Sequence, residues 1–368
     1  MKNRVVVAMS GGVDSSVAAA LLKKAGLEVI GITMCFNLPD IETRRPRCCG
    51  LQGIEDARRV SHKLGIKHYV LNMKNVLEEK VIKDFCLEYL RGRTPNPCVR
   101  CNQYIKFDLL LKKAKALGAQ YLATGHYARI DKSTIPALPA GRHGSQSTVY
   151  FLKKAKDLKK DQSYFLYRLG QNQLKHALFP LGEFTKEEVR KLARGFNLPV
   201  AEKAESQEIC FFPENNYRAF LEANCKGKIK PGRIIDAEGK DLGMHRGVPF
   251  YTIGQREGLG LSVGYPIYVT SIDAKHNRIT VGQRQDALKK EFLVRKLYFA
   301  HKPKKKKIAL KVKIRYNHKE SEAQIYSQPG KIKVRFKKPQ FAITPGQSAV
   351  FYKKDLVLGG GIIDKVIN

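Results

Sequence analysis

The sequence predicts an α/β fold in three parts: a parallel sheet flanked by helices, a small β-rich central part, and an antiparallel β-barrel at the C-terminal end. In the first 130 residues, apolar strand-like runs alternate with helix-like stretches, which is typical of a parallel sheet. Glycine punctuates the short β runs from about residue 212, and short alternating strands follow from about residue 290. We therefore predict domains at 1–212, 213–288 and 289–368.

The N-terminal elements follow from the spacing of apolar residues. VVVAM is a run of apolar β-formers, and residues 14–25 have a helix pattern that ends before Gly26. A second helix is predicted where apolar side chains recur three and four residues apart, at Ile54, Ala57, Val60 and Leu64. The other predicted elements are strands at 29–34, at HYVLN and at the start of YLATGHYARI, and helices at 76–90 and 105–116.

Residues 131–148 interrupt this alternation. They are rich in Pro, Gly and Ser and lie between two strand-like runs, ARI and VYFLK, so we expect a long hairpin loop. Further on, Thr185 is the expected N-cap of KEEVRKLARGFN, and Glu188 completes a capping box. The barrel strands are predicted at FLVRKLYFA, IALKVKIRY, EAQIYS, KIKVRFK, QSAVFYK and LVLGGGII.

The charge of the chain is strongly unbalanced. Lys and Arg number 68 against 33 Asp and Glu, which gives a formal net charge of +35. Such a basic chain favours a polyanionic partner, usually RNA or DNA, although a lysine-rich proteome would give a similar composition. The basic run at 304–307 is accordingly expected to be either a phosphate-binding loop or an ordinary solvated loop.

The N-terminus does not have the pattern of a signal peptide, because its apolar run is short and leads into a glycine turn. No stretch reaches the roughly 18 apolar residues of a membrane span. We therefore expect a cytoplasmic protein, in which cysteines are thiols, metal ligands or catalytic groups rather than a disulfide scaffold. The eight cysteines are Cys35, Cys48, Cys49, Cys86, Cys98, Cys101, Cys210 and Cys225.

The motif SGGVDS lies between the first strand and the first helix. A glycine turn at this point directs backbone N–H groups outward, and together with the helix dipole they form an anion site. The motif is neither a Walker A loop nor a GxGxxG fingerprint. It resembles the PP-loop of ATP pyrophosphatases, which split ATP between the α and β phosphates and adenylate an oxygen of their substrate.

Two cysteine motifs suggest the chemistry that follows adenylation. Cys98 and Cys101 have CxxC spacing just before a predicted helix, and Cys210 lies in the polar stretch ESQEICFF. A thiolate is favoured near a helix N-terminus or a cation, and Arg100 and Lys106 are close in sequence. A sulfur nucleophile and an adenylating loop in one basic chain suggest sulfur transfer to RNA.

Most of the chain resembles the bacterial tRNA-specific 2-thiouridylase family. The C-terminal barrel matches the family by its pattern of short alternating strands more than by a sequence motif. The matching motifs, in the family's order, are SGGVDSS, CCG followed by GIEDARRV, TPNPCVRCNQYIKF, LATGHYAR, KDQSYFL, SQEICFF and FYTIGQREGLGL.

The resemblance implies an enzyme that uses ATP, with Mg²⁺, to thiolate C2 of the wobble uridine in tRNAs for Lys, Glu and Gln, releasing AMP. The implied partners are the anticodon stem-loop of these tRNAs and a persulfide donor, either a sulfur-carrier protein or a cysteine desulfurase. By the same resemblance Cys210 carries the persulfide, and a disulfide between Cys101 and Cys210 forms when the sulfur is left on the base.

The resemblance also implies binding residues. Those for ATP are Ala8, Met9, Ser10, Gly11, Gly12, Val13, Asp14, Ser15, Met34 and Gly125. Those for the target base are Asn96, Pro97 and Cys98, and those for tRNA are His126, Lys160, Asp161, Gln162, Arg315, Tyr316 and Gln347. Taken alone, His126 could be an ordinary packed or capping histidine, but its place after a buried strand, at the ligand end of the sheet, favours a functional role. Tyr164, Phe165 and Tyr167 are expected either to stack on tRNA bases or to belong to a half-buried strand or helix.

Cys98 departs from the family pattern, because many members carry an Asp with a proton-handling role at this position. The departure leaves the general base open, and it gives a trio of cysteines, Cys98, Cys101 and Cys210, that could hold a [4Fe–4S] cluster in place of a persulfide relay. Structural zinc at CVRC would need four ligands, and the adjacent Cys48 and Cys49 are poorly spaced for it.

Two other functions fit parts of the sequence. One is a PP-loop ligase that uses a nitrogen nucleophile on a small molecule, against which the separated cysteines and the charge of +35 argue. The other is an RNA-binding protein that senses ATP or redox state through its cysteines. The cysteines outside the motifs, at positions 35, 86 and 225, are expected to be small buried hydrophobes.

Overall fold

The computed structural model describes residues 3–36, 50–135, 147–205, 209–211, 216–300 and 305–367. The chain divides into two compact units, each built from separated segments. The first unit comprises Met1–Glu78, Cys98–Glu214 and Asp355–Val357, and the second comprises Glu79–Pro97, Asn215–Lys354 and Leu358–Asn368. The three-domain division expected from the sequence stays a prediction.

The described strands, in chain order, are β1 (Arg4–Ala8), β2 (Glu28–Cys35), β3 (Lys67–Asn72), β4 (Tyr121–Thr124), β5 (Ala128–Ile135), β6 (Ser147–Lys154), β7 (Ala177–Leu178), β8 (Gly232–Ile235), β9 (Asp241–His245), β10 (Tyr268–Asp273), β11 (Arg278–Gly282), β12 (Leu288–Phe299), β13 (Lys307–Lys313), β14 (Ser321–Gln328), β15 (Lys331–Phe341), β16 (Ser348–Lys353) and β17 (Leu356–Val366). The described α-helices are α1 (Val13–Lys24), α2 (Leu51–Leu64), α3 (Lys74–Leu77), α4 (Lys83–Leu90), α5 (Pro97–Arg100), α6 (Leu111–Ala116), α7 (Ser163–Leu166), α8 (Gln171–His176), α9 (Lys186–Gly195) and α10 (Tyr217–Asn224).

The first unit is built on a parallel sheet, as predicted. Its strand order is β3-β2-β1-β4-β7, with β1 at the centre and every pairing parallel. The side chains of Val5, Val6 and Val7 are completely buried, as expected of a central strand covered on both faces. In sheets of this kind ligands bind at the carboxyl ends of the strands, which is where the glycine turn after β1 lies.

The predicted helices at 76–90 and 105–116 differ from the structure in their winding. Each has a π-helical stretch, Glu78–Ile82 in one and Cys101–Leu110 in the other. The second stretch joins α5 to α6, so the helix begins at Pro97 instead of residue 105. Helical periodicity predicted a helix here, but a π-helical insertion has no simple sequence signal; such segments are frequent at functional sites.

The loop predicted at 131–148 is flanked by a hairpin, because β5 and β6 pair antiparallel from Ala128 with Lys154 to Ile135 with Ser147. Both strands extend into the predicted loop, and residues 136–146 lie outside the described part of the chain.

The second unit contains two β structures. A four-stranded sheet has the order β10-β11-β8-β9, in which β8 and β11 are parallel. The six strands β12-β15-β14-β13-β16-β17 form an antiparallel barrel, and β12 closes it by pairing with β17. Alternate residues of each strand point inward, so Phe292, Val312 and Val334 are completely buried in its core. The predicted C-terminal barrel is therefore confirmed.

Within the described ranges, no helix combines the length and the apolar composition that a membrane crossing requires.

Candidate active site

The SGGVDS turn connects β1 directly to α1. Gly11 has a φ of +70°, and a Cβ atom at this position would lie 2.2 Å from the carbonyl oxygen of Gly53. Only glycine fits both the left-handed conformation and this close approach. The side chain of Ser15 fixes the turn from inside, because its Oγ accepts from the backbone N–H of Ser10 at 3.1 Å and donates to the carbonyl of Gly12 at 3.2 Å.

Exposure alternates along the turn. Ala8, Ser10, Gly12 and Asp14 are partly exposed, and the intervening Met9, Gly11, Val13 and Ser15 are buried. The exposed set is therefore able to contact a ligand, whereas the buried set can contribute only backbone atoms or shape. Of the ATP residues expected from the resemblance, Met9 is the clearest shaping residue, since its sulfur accepts a hydrogen bond from Ser61 Oγ at 3.4 Å.

Gly125 follows β4 and packs against the start of α1. A Cβ atom on Gly125 would lie 2.7 Å from the backbone nitrogen of Ser15 and 2.8 Å from the carbonyl carbon of Asp14. The absence of a side chain thus lets the end of β4 meet the N-terminus of α1. Met34, near the end of the neighbouring strand β2, is partly exposed. Three adjacent parallel strands, β2, β1 and β4, therefore end side by side, and their carboxyl ends carry Met34, the glycine turn and Gly125 respectively.

Two ammonium groups that sequence reasoning missed lie at the glycine turn. Lys186 Nζ is 2.6 Å from Asp14 Oδ1, and Lys203 Nζ is 3.1 Å from the carbonyl oxygen of Gly11. Lys203 also pairs with the buried carboxylate of Asp56 at 2.5 Å. Cations beside outward-facing helix N–H groups favour a polyanionic ligand such as a triphosphate. In the sequence, Lys186 is marked only by the capping box at the start of α9. A capping box indicates where a helix begins and says nothing of a binding site.

Tyr127 adds a neutral donor to the same carboxylate. Its hydroxyl donates to Asp14 Oδ1 at 2.9 Å. Burial raises the pKa of Tyr127 and the nearby Asp14 carboxylate raises it further, so the phenol remains protonated at neutral pH. Asp14 is therefore held in place by one cation and one neutral donor.

Glu205 connects this turn to a second group of cations. Its carboxylate lies 2.6 Å from Lys160, 3.2 Å from Lys186 and 4.0 Å from Arg190. Burial alone would raise the pKa of Glu205, but hydrogen bonds and charges from Lys160 and Lys186 outweigh it and lower the pKa. Glu205 is consequently ionised at neutral pH.

The first cysteine motif lies at the beginning of a helix. Pro97 opens α5, and the partly exposed Cys98 lies in its first turn. Cys101, also partly exposed, begins the π-helical stretch. The first turn of a helix favours negative charge, which suits a thiolate. The guanidinium of Arg100 lies over the ring of Tyr104, at 5.9 Å from its centroid.

Cys210 lies in a short described segment, 209–211, where it is partly exposed and its neighbour Phe211 is buried. Among the described residues, no three His, Cys, Asp or Glu side chains are placed to hold a metal ion together. Cys98, Cys101 and Cys210 are all described, so as placed they do not fit the three-thiolate site that a cluster needs. Cys48 and Cys49 lie outside the described residues.

Of the three cysteines that we expected to be buried, Cys35, Cys86 and Cys225, the structure buries two. Cys86 and Cys225 are buried, and burial together with the neighbouring Cys225 raises the pKa of Cys86 to about 12. Cys35 is only partly buried.

His126 is a neutral histidine between aromatic rings. Its Nδ1 lies 2.6 Å from Thr124 Oγ1, and its ring centroid lies 6.3 Å from that of Phe107 and 6.1 Å from that of Phe179. Burial lowers its pKa well below the usual value, and the Lys106 ammonium lowers it further. At neutral pH His126 can therefore contact a nucleotide through hydrogen bonds or its ring, but not as a cation.

The tRNA residues expected at 160–162 divide into two kinds. Asp161 is buried and accepts hydrogen bonds from the backbone N–H groups of Ala155 and Ser163, at 3.0 and 3.2 Å. Gln162 bonds the backbone of Tyr127 in both directions, at 3.0 and 2.8 Å. In this conformation the side chains of Asp161 and Gln162 hold the shape of the loop. Lys160, whose ammonium pairs with Glu205, is the residue of the three that carries a positive charge.

The predicted base-stacking role of the aromatic stretch after Gln162 is wrong for two of its three members. Tyr164 and Tyr167 are 0% and 2% exposed, so no base can stack on them in this structure; Phe165 is partly exposed. The helical alternative is correct, because Ser163–Leu166 forms α7. The hydroxyl groups of the two tyrosines did not prevent burial of their large apolar rings.

The remaining predicted residues lie in the second unit. Gln347 donates to the carbonyl oxygens of Thr94 and Pro95, at 3.1 and 3.3 Å, and so holds the chain that leads to Asn96 and Pro97. Arg315 and Tyr316 follow β13 in a turn and are partly exposed, with Lys313 Nζ 5.2 Å from the centre of the Tyr316 ring. Of the basic run at 304–307, residues 305–307 are exposed and residue 304 is outside the described part.

Comparison with known proteins identifies the family. Residues 3–214 match the family model described as the tRNA methyl transferase HUP domain, residues 218–283 its PRC-barrel domain, and residues 289–363 the aminomethyltransferase beta-barrel domain. Although these descriptions mention methyl transfer, the full-length relatives are named as thiouridylases.

Relatives align over nearly the whole chain. The tRNA-specific 2-thiouridylase MnmA 1 of Caldanaerobacter subterraneus subsp. tengcongensis is 51% identical over 372 residues, covering 100% of this chain and 99% of the relative. The tRNA-specific 2-thiouridylase MnmA of Halothermothrix orenii is 50% identical over 366 residues, covering 98% and 99%. A solved 4-thiouridine synthetase–RNA complex with bound ATP covers 60% of this chain and 50% of its own, at 16% identity and a TM-score of 0.35, which is too low to support an argument. On the strength of its full-length relatives, the chain belongs to the tRNA-specific 2-thiouridylase family.

Proposed function

We propose that this chain catalyses the ATP-dependent 2-thiolation of the wobble uridine in tRNAs for Lys, Glu and Gln. The observation that carries the proposal is the glycine turn flanked by Lys186 and Lys203, found in the same compact unit as Cys101 and Cys210. Family membership implies the use of ATP, and the two ammonium groups are suited to its phosphates.

In the first step, the C2 oxygen of the uracil attacks the α-phosphorus of ATP, and the bond to the pyrophosphate breaks. Negative charge then grows on the leaving pyrophosphate, where Lys186, Lys203 and the N–H groups at the start of α1 stabilise it. Asp14, partly exposed at the mouth of the turn, is the kind of oxygen ligand that Mg²⁺ takes beside a triphosphate. When bound, that ion would neutralise phosphate charge.

In the second step, the terminal sulfur of a persulfide on Cys210 attacks C2, and AMP leaves. The transferred sulfur now bridges C2 and the Cys210 sulfur. The Cys101 thiolate attacks the Cys210 sulfur, the bond between that sulfur and the transferred sulfur breaks, and its electron pair stays on the transferred sulfur as the C2 thiocarbonyl forms. A Cys101–Cys210 disulfide results, and an external thiol reduces it before the next turnover. The persulfide itself comes from a sulfur-carrier protein or a cysteine desulfurase.

The iron–sulfur alternative has less support, because Cys98, Cys101 and Cys210 are not gathered as ligands in the described structure. We also propose that tRNA binds through Lys160, Arg315, Tyr316 and the exposed lysines at 305–307. The charge of +35 suits such a partner. Binding through phosphates would weaken steeply as salt is added, because counterions are released.

Mass spectrometry of the nucleosides from tRNA incubated with the protein, ATP, Mg²⁺ and a persulfide source tests the proposal. The wild-type chain should give 2-thiouridine, and Cys210→Ser should abolish it while leaving tRNA affinity unchanged. Cys225→Ala, at a buried cysteine of the second unit, is the matched control and should retain activity. Normal 2-thiouridine from Cys210→Ser would exclude the sulfur route. tRNA binding without product in the wild type would favour the RNA-binding sensor.

A further inference from the structure

Two arginines of the second unit lie directly opposite each other on neighbouring strands. Arg233 of β8 pairs in register with Arg278 of β11, and these two strands are parallel. Both arginines point to the exposed face of the sheet, because the residues that follow them, Ile234 and Ile279, are completely buried on the other face. Like charges placed opposite each other destabilise a sheet. Such a cost to the free protein is typical of residues that serve binding.

A carboxylate on each outer strand holds one of the arginines from the side. Asp241 Oδ2 on β9 lies 3.2 Å from Arg233 Nη1, and Asp273 Oδ2 on β10 lies 3.8 Å from Arg278 Nη2. The sheet order β10-β11-β8-β9 therefore places the two positive groups in the middle and the two negative groups outside. Because a guanidinium has five N–H donors, one carboxylate can fix its direction and still leave donors for a ligand.

The two arginines line an open pocket of about 450 Å³, whose other lining residues are Gly232, His276 and Asn277. The side chains of Arg233, His276 and Arg278 are 72%, 62% and 47% exposed. Their charged ends can therefore be reached from solvent, even by a ligand that is part of a larger molecule.

The backbone around the pocket is held in place by close contacts. Asn277 has a left-handed φ of +49°, which asparagine adopts more readily than most residues, and its side-chain amide donates to the carbonyl oxygen of Pro231 at 2.6 Å. The Asn277 carbonyl oxygen accepts from Nε2 of the buried His245 at 3.1 Å. A Cβ atom at Gly232 would collide with that same oxygen. The start of β8 and the turn before β11 are thus joined, which fixes the spacing of the two arginines.

We propose that this pocket binds one phosphodiester group of an RNA backbone, with Arg233 and Arg278 on either side of the phosphate. The inference rests on the proposed function in one respect, that the ligand is tRNA. Planar guanidinium groups suit phosphate because each can contact two of its oxygens at once. The flanking carboxylates favour one kind of phosphate, because they repel the single negative charge of a phosphodiester less than they repel inorganic phosphate or pyrophosphate.

The proposal predicts a share of tRNA affinity that depends on salt and not on sequence. Arg233→Gln and Arg278→Gln should each weaken tRNA binding about 3- to 10-fold at low salt, and the variant with both changes should reduce the slope of log affinity against log salt by about one. Because phosphate contacts carry no base information, the loss should be equal for the tRNA for Lys and for a tRNA outside the three proposed substrates. Without the opposed charges, the variants should unfold at or above the wild-type temperature.

Fluorescence anisotropy with labelled tRNA, repeated over a series of salt concentrations on the full chain, measures the affinity and its slope. Arg246→Gln is the matched control for each single change. Arg246 belongs to the same unit, is 74% exposed and pairs with Glu222 at 3.4 Å, but it does not line the pocket. It should bind tRNA within about twofold of the wild type, because it changes the net charge without removing a phosphate contact.

Arginine labelling of the wild-type chain locates the contact without any variant. Phenylglyoxal modifies accessible arginines, and mass spectrometry of the peptides measures each position. Bound tRNA should protect Arg233 and Arg278 and leave Arg246 reactive. Inorganic phosphate and pyrophosphate, each at the phosphate concentration of the tRNA sample, should protect them little. Equal protection by either free anion would overturn the RNA backbone as the ligand.

The outcomes separate this inference from the proposed function. A wild-type chain that does not bind tRNA contradicts both, whereas tRNA binding without 2-thiouridine contradicts the proposed function alone. An unchanged salt slope in the double variant, a loss confined to the proposed substrate tRNAs, or an equal loss in Arg246→Gln overturns the phosphate pocket alone. A lower unfolding temperature with unchanged tRNA affinity also overturns it, because the arginines would then act only as structural ion pairs.

Discussion

Replacing Gly11 by alanine tests the glycine turn most directly, because the chain offers a matched glycine elsewhere. Gly11 and Gly26 have similar left-handed φ values, +70° and +82°. An alanine in this conformation costs about 1–2 kcal/mol at either position. Nothing lies within 4 Å of a Cβ at Gly26, whereas a Cβ at Gly11 would lie 2.2 Å from the Gly53 carbonyl oxygen. The difference between the two variants therefore isolates the steric contact.

The size of that difference follows from the atoms involved. The Cβ meets backbone atoms of α2, which cannot rotate away as a flexible side chain could, so overpacking adds about 1–3 kcal/mol. If the turn moves to relieve the contact, the phosphate site is distorted and ATP affinity falls about 5- to 150-fold. If the turn does not move, the cost appears as a lower unfolding temperature.

Isothermal titration calorimetry with ATP and a thermal unfolding scan measure both effects. Gly26→Ala should bind ATP within about twofold of the wild type, because it changes only local backbone energy at the end of α1. Gly11→Ala should lose ATP affinity, unfold at a lower temperature than Gly26→Ala, or both. Equal affinity and equal unfolding temperature for the two variants would refute the contact with Gly53 as the reason for glycine in the turn.

Two further predictions concern the N-cap of α9 and the histidine His126. Thr185→Ala removes the N-cap of α9, whose Oγ1 accepts a hydrogen bond from the Glu188 N–H at 3.2 Å, and we expect a loss of about 1 kcal/mol of stability in thermal unfolding. Glu187→Ala, at the neighbouring exposed position, is the control and should change stability little. If Thr185→Ala left the unfolding temperature unchanged, the cap would not be what places Lys186 at the start of α9. Burial lowers the pKa of His126 in the folded chain, and Lys106 lowers it further, so the unfolded chain takes up a proton near pH 6.5 that the folded chain does not. Its contribution to stability is therefore present above that pH and is lost as pH falls below it. His126→Asn should show a smaller fall in unfolding temperature between pH 7.5 and 5.5 than the wild type, and an equal fall in both would contradict the assignment.

Local chemistry explains which parts were predictable. The strand, glycine turn and helix at the N-terminus depend on neighbouring residues, and so does the capping box at Thr185, which the structure confirms in both directions. The barrel strands were predictable because alternate residues of each must face the core. The π-helical stretch at Cys101 was not, because helical spacing does not specify which turns widen.

The sequence by itself determined where the glycine turn, the cysteine motifs and the barrel strands lie along the chain, since periodicity and turn chemistry act over a few residues. The tertiary structure alone decided which distant groups meet at the turn: Lys186 contacts Asp14 across 172 positions, and Lys203 contacts Gly11 across 192. It also decided that Asp161 points inward and that Tyr164 is buried. Contacts of this kind depend on which faces of the helices and loops pack together, and the order of residues along one element does not fix that packing.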